Sequence, residues 1–336
     1  MSLLIAYIGI LAVLIIALNA RYLGEFFDVM DDPLNEAHKK HTFSTPLVGA
    51  LMIGALAIFI IANQYVFNAT AKMTGISVCT ILVAILGMYD DKLRLSWQLR
   101  LGLIGAICML LVYWVPELRL TELAWSFGVA TELGKYPGAI FSVLCLMTLV
   151  IAFNMMDGFN GGVIGFSLIM FIVMAFMATN PHRQAICLFI ASALGIMFVY
   201  NMKGEFFLGD GGAYALGLLT GSVALLTYTH GGVVSVYADT IFAWFALPTL
   251  DCLRVVISRK ISKASPFYAG RDHLHHMVMA VSGPKRTLFV FCFIVSSSAA
   301  LTLFSGQYTY IVLLVEVGLL FALAIAARKY RRQSAT

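Results

Sequence analysis

Two adjacent carboxylates, Asp90 and Asp91, stand in GMYDDKLRLSWQLRL at the end of a long apolar run. Neighbouring acids repel each other, and a plain stop signal at a membrane edge is more often basic, so the pair reads as functional. Hard divalent cations take oxygen ligands and share their shell with substrate phosphates, which makes Mg²⁺-phosphate chemistry the natural use of such a pair. A second constellation, AFNMMDGFNGG, sets Asn154, Asp157 and Asn160 at i, i+3 and i+6. If the helix runs through them, all three lie along one face. An ionisable residue in such apolar surroundings is a functional candidate by default; the plainer alternative is a polar packing seam. Asp210, in FFLGDGGAYALG, precedes another apolar run and fits either a helix N-cap or a ligand. Just before it, Asn201 and Lys203 accompany Phe206 and Phe207, aromatics able to stack on a base.

SPFYAGRDHLHHM gathers Arg271, Asp272, His273, His275 and His276 in a basic loop. No cysteine or second histidine cluster supplies matched zinc spacing, so phosphate contacts from imidazole and guanidinium fit better. DDPLNEAHKKHTFSTPLVGA adds His38, Lys39, Lys40 and His41, which taken alone also suit a solvated basic loop.

The elements that must carry these residues are membrane helices. The chain has 336 residues, 61% of them hydrophobic and only 12% charged, with a mean hydropathy of +0.91. A soluble domain carries about 25% charge, so a soluble enzyme, a disordered chain and a secreted disulfide scaffold are all excluded. The six cysteines all fall inside apolar segments, without metal or redox spacing, and read as small packing residues. A helix needs about 20 apolar residues to cross a bilayer. Eleven segments qualify approximately: 3–20, 46–66, 71–89, 97–115, 138–154, 161–178, 185–200, 211–229, 236–257, 287–305 and 308–327. The expectation is an all-α polytopic protein, residues 1–336 forming one integral membrane catalytic domain. No segment of 20–50 residues repeats, and the polar stretch near 116–137 is too short for a separate domain.

With the N-terminus outside, 18 of the 22 Lys and Arg fall on the inner side. That excess fixes an N-out, C-in expectation, and it makes the net charge of +5 a matter of topology rather than of nucleic acid. Positive-inside sorting leaves acids unsorted, yet 12 of the 17 Asp and Glu and five of the seven His share the inner side. Oxygens for a divalent metal and cations for phosphates thus converge on one face, which suits phosphoryl transfer.

At these residues the sequence resembles the polyprenyl-phosphate N-acetylhexosamine-1-phosphate transferase superfamily, and most of all its bacterial WecA-type branch. The resemblance is carried by D-P…KKH at 32–41, P-L-V-G at 46–49, DD at 90–91, N-x-x-D-G at 154–158, F-L-G-D at 207–210, P-x-x-D at 248–251 and SPF…R-D-H-L-H-H at 265–276. It implies transfer of a sugar 1-phosphate, N-acetylglucosamine 1-phosphate in this branch, from a UDP-amino sugar to undecaprenyl phosphate with release of UMP. Mg²⁺ or Mn²⁺ is the implied cofactor, the bacterial cytoplasmic membrane the implied location, and cell-envelope polysaccharide the implied product line. Other UDP-amino sugars, such as the galacto epimer or a 6-deoxy sugar, stay open, as does a homodimer.

Carried over residue by residue, Asp90 and Asp91 match the carboxylate pair, implicated in metal handling or activation of the lipid phosphate. Asn154, Asp157 and Asp210 match metal and diphosphate residues, with Asp210 and Asn154 expected to hold the ion. Phe207 matches the nucleotide-side aromatic, with Asn201, Asn160 and Arg271 expected to bind substrate. Lys39 matches a basic position near the phosphates, and His273, His275 and His276 match the H-x-H-H signature. Arg94 stands where the family's DDxxD motif has its third acid, and Asn160 where many bacterial members have Asp. A secondary transporter of an anionic substrate is the rival from another class. It would want charge near mid-membrane, where only Glu316 falls.

Overall fold

A chain this apolar must satisfy its backbone polar groups within its own segments, and the helix is the single-segment solution. The computed structural model describes residues 3–31, 44–67, 71–263 and 272–333. Among them run fourteen helices: α1 (Leu3–Leu18), α2 (Ala20–Phe26), α3 (Gly49–Phe67), α4 (Ala71–Leu93), α5 (Trp97–Trp114), α6 (Lys135–Met156), α7 (Gly162–Met177), α8 (Pro181–Met202), α9 (Gly209–His230), α10 (Ala238–Trp244), α11 (Ala246–Ile261), α12 (Leu274–Ser282), α13 (Pro284–Ser305) and α14 (Thr309–Gln333). Among the described residues, strand structure is confined to two antiparallel pairs. One joins β1 (Met30–Asp31) to β2 (Thr45–Pro46), and the other joins β3 (Glu122–Ala124) to β4 (Ala130–Glu132) within the polar stretch between α5 and α6.

The chain is an integral membrane protein, and each of the eleven apolar segments is largely helical. By length and composition, six helical stretches among the described residues can cross a bilayer, or up to eight if each of two bent pairs counts as one span. The segment 236–257 is not one straight rod: α10 and α11 meet at 74°. Pro248 lies in the first turn of α11, where its missing N–H is tolerated. In a continuous helix its ring would strike the carbonyl four residues back, at Trp244. The first segment bends likewise, by 75° between α1 and α2. All six cysteines are free, four of them buried and two half-buried.

The centre is α9, whose sequence GDGGAYALGLLTGSVALLTYTH is rich in small residues. Small side chains let membrane helices approach closely, and α9 is enclosed by α3, α4, α6 and α7. The tightest crossing is with α4, where a Cβ on Gly87 would collide with the backbone of Gly211. A second lies against α6, where a Cβ on Gly217 would fall 2.8 Å from Val150 Cα. Overpacking of a well-packed core typically costs about 1–3 kcal/mol. Gly87→Ala is therefore expected to lower the thermal unfolding temperature of the detergent-solubilised protein, whereas Gly102→Ala, where an added Cβ meets nothing within 4 Å, leaves it unchanged.

Candidate active site

Gly87 and Asp91 are one helical turn apart on α4, so the close crossing at Gly87 carries Asp91 onto the first turn of α9. Its carboxylate accepts the N–H of Asp210 (3.0 Å) and of Gly211 (3.4 Å). The first N–H groups of a helix lack internal partners, and a negative charge there also favours the helix dipole. The N-cap reading of Asp210 thus gives way to a different arrangement. The capping acid comes from another helix, and the Asp210 carboxylate is left to accept from Asn154 Nδ2 at 2.6 Å.

Asp90 points to the other side of α4 and is buried. One oxygen accepts from Tyr214 Oη (2.7 Å) and Arg100 Nη1 (3.0 Å), the other from the Leu95 N–H (3.0 Å). The last bond requires the chain to double back after α4, and Arg94 does so with φ of +49°. The sequence suggested no structural reason for adjacent acids here. The structure supplies one for each, a cap for α9 and an anchor joining α4, α5 and α9.

The expected common face for Asn154, Asp157 and Asn160 does not form, because α6 stops at Met156. Residues 157–161 turn instead, with Gly161 at φ +82°. Asn201 stabilises that turn: its Oδ1 accepts the Gly161 N–H at 2.6 Å, and its Nδ2 donates to the Phe206 carbonyl at 2.9 Å. Asn201 is thus a buried strut between the 157–161 turn and the segment that carries Phe207. The Phe207 N–H donates to the Pro46 carbonyl at 2.9 Å, in a bridge that ties the start of α9 to the chain before α3. Asn160 and Phe207 are both half-buried and do not line the cavity described next.

A cavity of about 290 Å³ opens where α5, α6, α9, α11 and α12 converge. Of the residues expected from sequence, Asn154, Asp157, His273, His275 and His276 line it, with Asp210 directly behind Asn154. Arg100, Arg259, Tyr214 and Trp97 also line it and were not anticipated. Arg100 carried a legible signal, a cation one turn inside an apolar segment and ten residues after Asp90. Lys39 and Arg271, with the basic loop around Lys39, lie outside the described residues.

The half-buried Asp157 carboxylate makes no hydrogen bond to a described residue. Burial, and then the charges of Asp210 and Asp91, push it up to about 8. His275 is held well below its ordinary value by burial, then by His276 and His273. It is thus neutral, and its Nε2 lies against Gly158 with no hydrogen-bond partner among the described residues. Among the described residues no three acidic, histidine or cysteine side chains converge to cage an ion unaided. The donors available are oxygens of Asp210, Asn154 and Asp157. That hard, carboxylate-poor set fits a cation of the Mg²⁺ type, which binds through one or two carboxylates plus substrate phosphates.

The model of glycosyl transferase family 4 matches residues 73–228, from α4 through almost all of α9. The resemblance read from the sequence holds. An undecaprenyl-phosphate alpha-N-acetylglucosaminyl 1-phosphate transferase from Yersinia pestis is 25% identical over 80% of this chain and 74% of its own length. A protein of the same name from Escherichia coli O157:H7 is 24% identical over 93% and 85%. A probable undecaprenyl-phosphate N-acetylglucosaminyl 1-phosphate transferase from Bacillus subtilis is 27% identical over 87% and 82%. The family match encloses Asp90, Asp91, Asn154, Asp157 and Asp210, while the three histidines lie beyond it.

The geometry separates two kinds of acid by experiment. Asp90→Ala removes bonds from Arg100, Tyr214 and the Leu95 N–H, each hydrogen bond to a charged group contributing about 1.5–3 kcal/mol. It is expected to lower the melting temperature clearly. Asp157→Asn breaks no described hydrogen bond and is expected to leave the melting temperature unchanged or raised while activity falls. Thermal melts of both variants in one detergent check the contrast.

Proposed function

We propose that the chain transfers N-acetylglucosamine 1-phosphate from its UDP-sugar to undecaprenyl phosphate and releases UMP. The observation that carries the reading is the cavity where Asn154, Asp157, Arg100, Arg259 and three histidines meet, with Asp210 behind it, at one end of the apolar helices. The names of the relatives supply the substrates. In the reaction an oxygen of the lipid phosphate attacks the β-phosphorus of the UDP-sugar. The bond from that phosphorus to the bridging oxygen breaks, the oxygen leaves with UMP, and a lipid-linked diphospho-sugar forms. At pH 7 the attacking phosphate is already an anion, so no strong base is needed.

The chain's own groups then act mainly by placement and charge, as phosphoryl transfer requires. Arg100 and Arg259 neutralise phosphate charge from the cavity wall, and Lys39 and Arg271 add to this from their loops. Asp91 fixes the start of α9 and so the position of Asp210, while Asp90 orients Arg100. Asp157 faces the reacting groups, His273, His275 and His276 bound the phosphate side, and Phe207, Asn160 and Asn201 serve the nucleotide side. Asp210 and Asn154 would hold Mg²⁺ or Mn²⁺, which supplies charge screening on the diphosphate. The reactive end faces the cytoplasm of a bacterial inner membrane, in an N-out, C-in chain of about eleven spans. The 18 of 22 basic residues assigned to that side support this orientation.

Purified protein given undecaprenyl phosphate, UDP-N-acetylglucosamine and Mg²⁺ is expected to release UMP. Chelation with EDTA stops release and added Mg²⁺ restores it. Asp210→Ala is expected to lose about a hundredfold or more, the scale of removing one electrostatic stabiliser of a transition state. Absence of UMP with every UDP-amino sugar tried would overturn the reading.

A further inference from the structure

One carboxylate organises the start of α12. Asp251, on α11, accepts at Oδ1 from Arg254 Nη2 (2.5 Å), Arg254 Nε (3.1 Å) and the Leu274 N–H (3.0 Å). At Oδ2 it meets the Leu274 N–H (3.1 Å) and His273 Nδ1 (3.1 Å). Guanidinium and backbone N–H can only donate, so Asp251 acts as an ionised acceptor and His273 Nδ1 must carry the hydrogen. The other ring nitrogen, Nε2, is turned away from Asp251 and makes no hydrogen bond to a described residue. His273 as a whole is only 7% exposed. His273 lines the cavity beside Arg259, Asn154 and Asp157. The ring is further held by stacking on His275, with centroids 5.6 Å apart and planes 12° from parallel. Arg254 also donates to the Asp272 carbonyl at 2.6 Å, and Arg259 to the Asp272 carboxylate at 3.5 Å.

We propose that Asp251 is a positioning residue of the transfer reaction, holding His273 with Nδ1 on its carboxylate and Nε2 toward the diphosphate. The inference rests on the function proposed above. An imidazole with one nitrogen committed to a carboxylate has a fixed tautomer and ring plane. With the hydrogen on Nδ1, Nε2 is left as the ring nitrogen with a lone pair to offer. The plainer role for Asp251 is to cap α12 through the Leu274 N–H. Asp251→Asn distinguishes the two, since the amide keeps an oxygen for that N–H but loses the charge and one acceptor.

The test is UMP release by the purified full chain, with kcat and KM for the UDP-sugar determined separately. Asp251→Asn is expected to lower kcat about tenfold to a hundredfold, the scale for groups that orient a reactive imidazole, with KM within about twofold. His273→Gln is expected to lose a similar factor, and the double variant no more than the worse single one, since coupled residues are non-additive. Multiplying losses, or a wild-type kcat in Asp251→Asn, would overturn the proposal. If Asp251→Asn does not yield folded protein, Asp251→Glu carries the same test, with a fall in kcat that adding His273→Gln does not deepen. Labelling of His273 by diethyl pyrocarbonate, read by mass spectrometry, needs no turnover. It is expected to slow severalfold in Asp251→Asn, and an unchanged rate counts against the proposal. A wild-type chain that releases no UMP while its His273 labels in this Asp251-dependent way would sink the functional reading and leave the clamp standing.

Discussion

The backbone contact between Gly87 of α4 and Gly211 of α9 is the constraint on which the site depends. With no side chain between them, the two helices cross at a distance that Asp91, one turn beyond Gly87, can span to the Asp210 and Gly211 N–H groups. A helix N-terminus buried among other helices needs such a partner. The same logic repeats on the opposite side of α9. Gly217 sits against Val150, and four residues beyond Val150 the antiparallel α6 presents Asn154 to Asp210. Two glycine contacts on one helix therefore fix where the Asp210 carboxylate stands.

The clustered acids divide by what answers their charge. Asp90 has a guanidinium, a phenol and a backbone N–H and belongs to the scaffold. Asp91 has two backbone N–H groups at the positive end of a helix. Asp157 has no described donor at all. Like charges at short range inside a poorly polarisable surrounding are costly, and Asp157 meets that cost by holding its proton more tightly, up to about 8. Arg100 and Arg259 line the same cavity as Asp157. Carboxyl groups and guanidiniums around one cavity suit a ligand that is itself polyanionic and carries a divalent cation.

The sequence made the local features readable and left the long-range ones hidden. Each of the eleven apolar runs is largely helical, since run length and composition are properties of the segment itself, while six to eight stretches among the described residues are long and apolar enough to cross a bilayer. The cysteines were correctly read as packing residues for the same reason. What failed was whatever a distant residue decides. The i, i+3, i+6 face assumed a helix through Asn160, but α6 ends at Met156 and the turn after it is held by Asn201, which accepts the Gly161 N–H from 40 residues on. The cap of α9 is supplied across 119 residues, and the phenol on Asp90 across 124. Arg100 could be seen as a cation and not as a cavity wall, because nothing local states which face of α5 meets α6.

Gly158 shows how the two halves of the site meet. It follows Asp157 in a turn, and a turn glycine is ordinarily explained by a left-handed backbone, as Gly161 is at φ +82°. Gly158 is not among the positive-φ glycines, so conformational freedom does not account for it. Space does. A Cβ there would overlap the imidazole of His275, whose ring is buried and packed between His276 and Phe159. The oxygen-bearing half, built on α4, α6 and α9, therefore touches the histidine-bearing half, built on α11 and α12, at a position with no room for any side chain. The glycine after Asp157 is then a statement about the histidine helix 117 residues later, and a motif in one half constrains a motif in the other through contact alone.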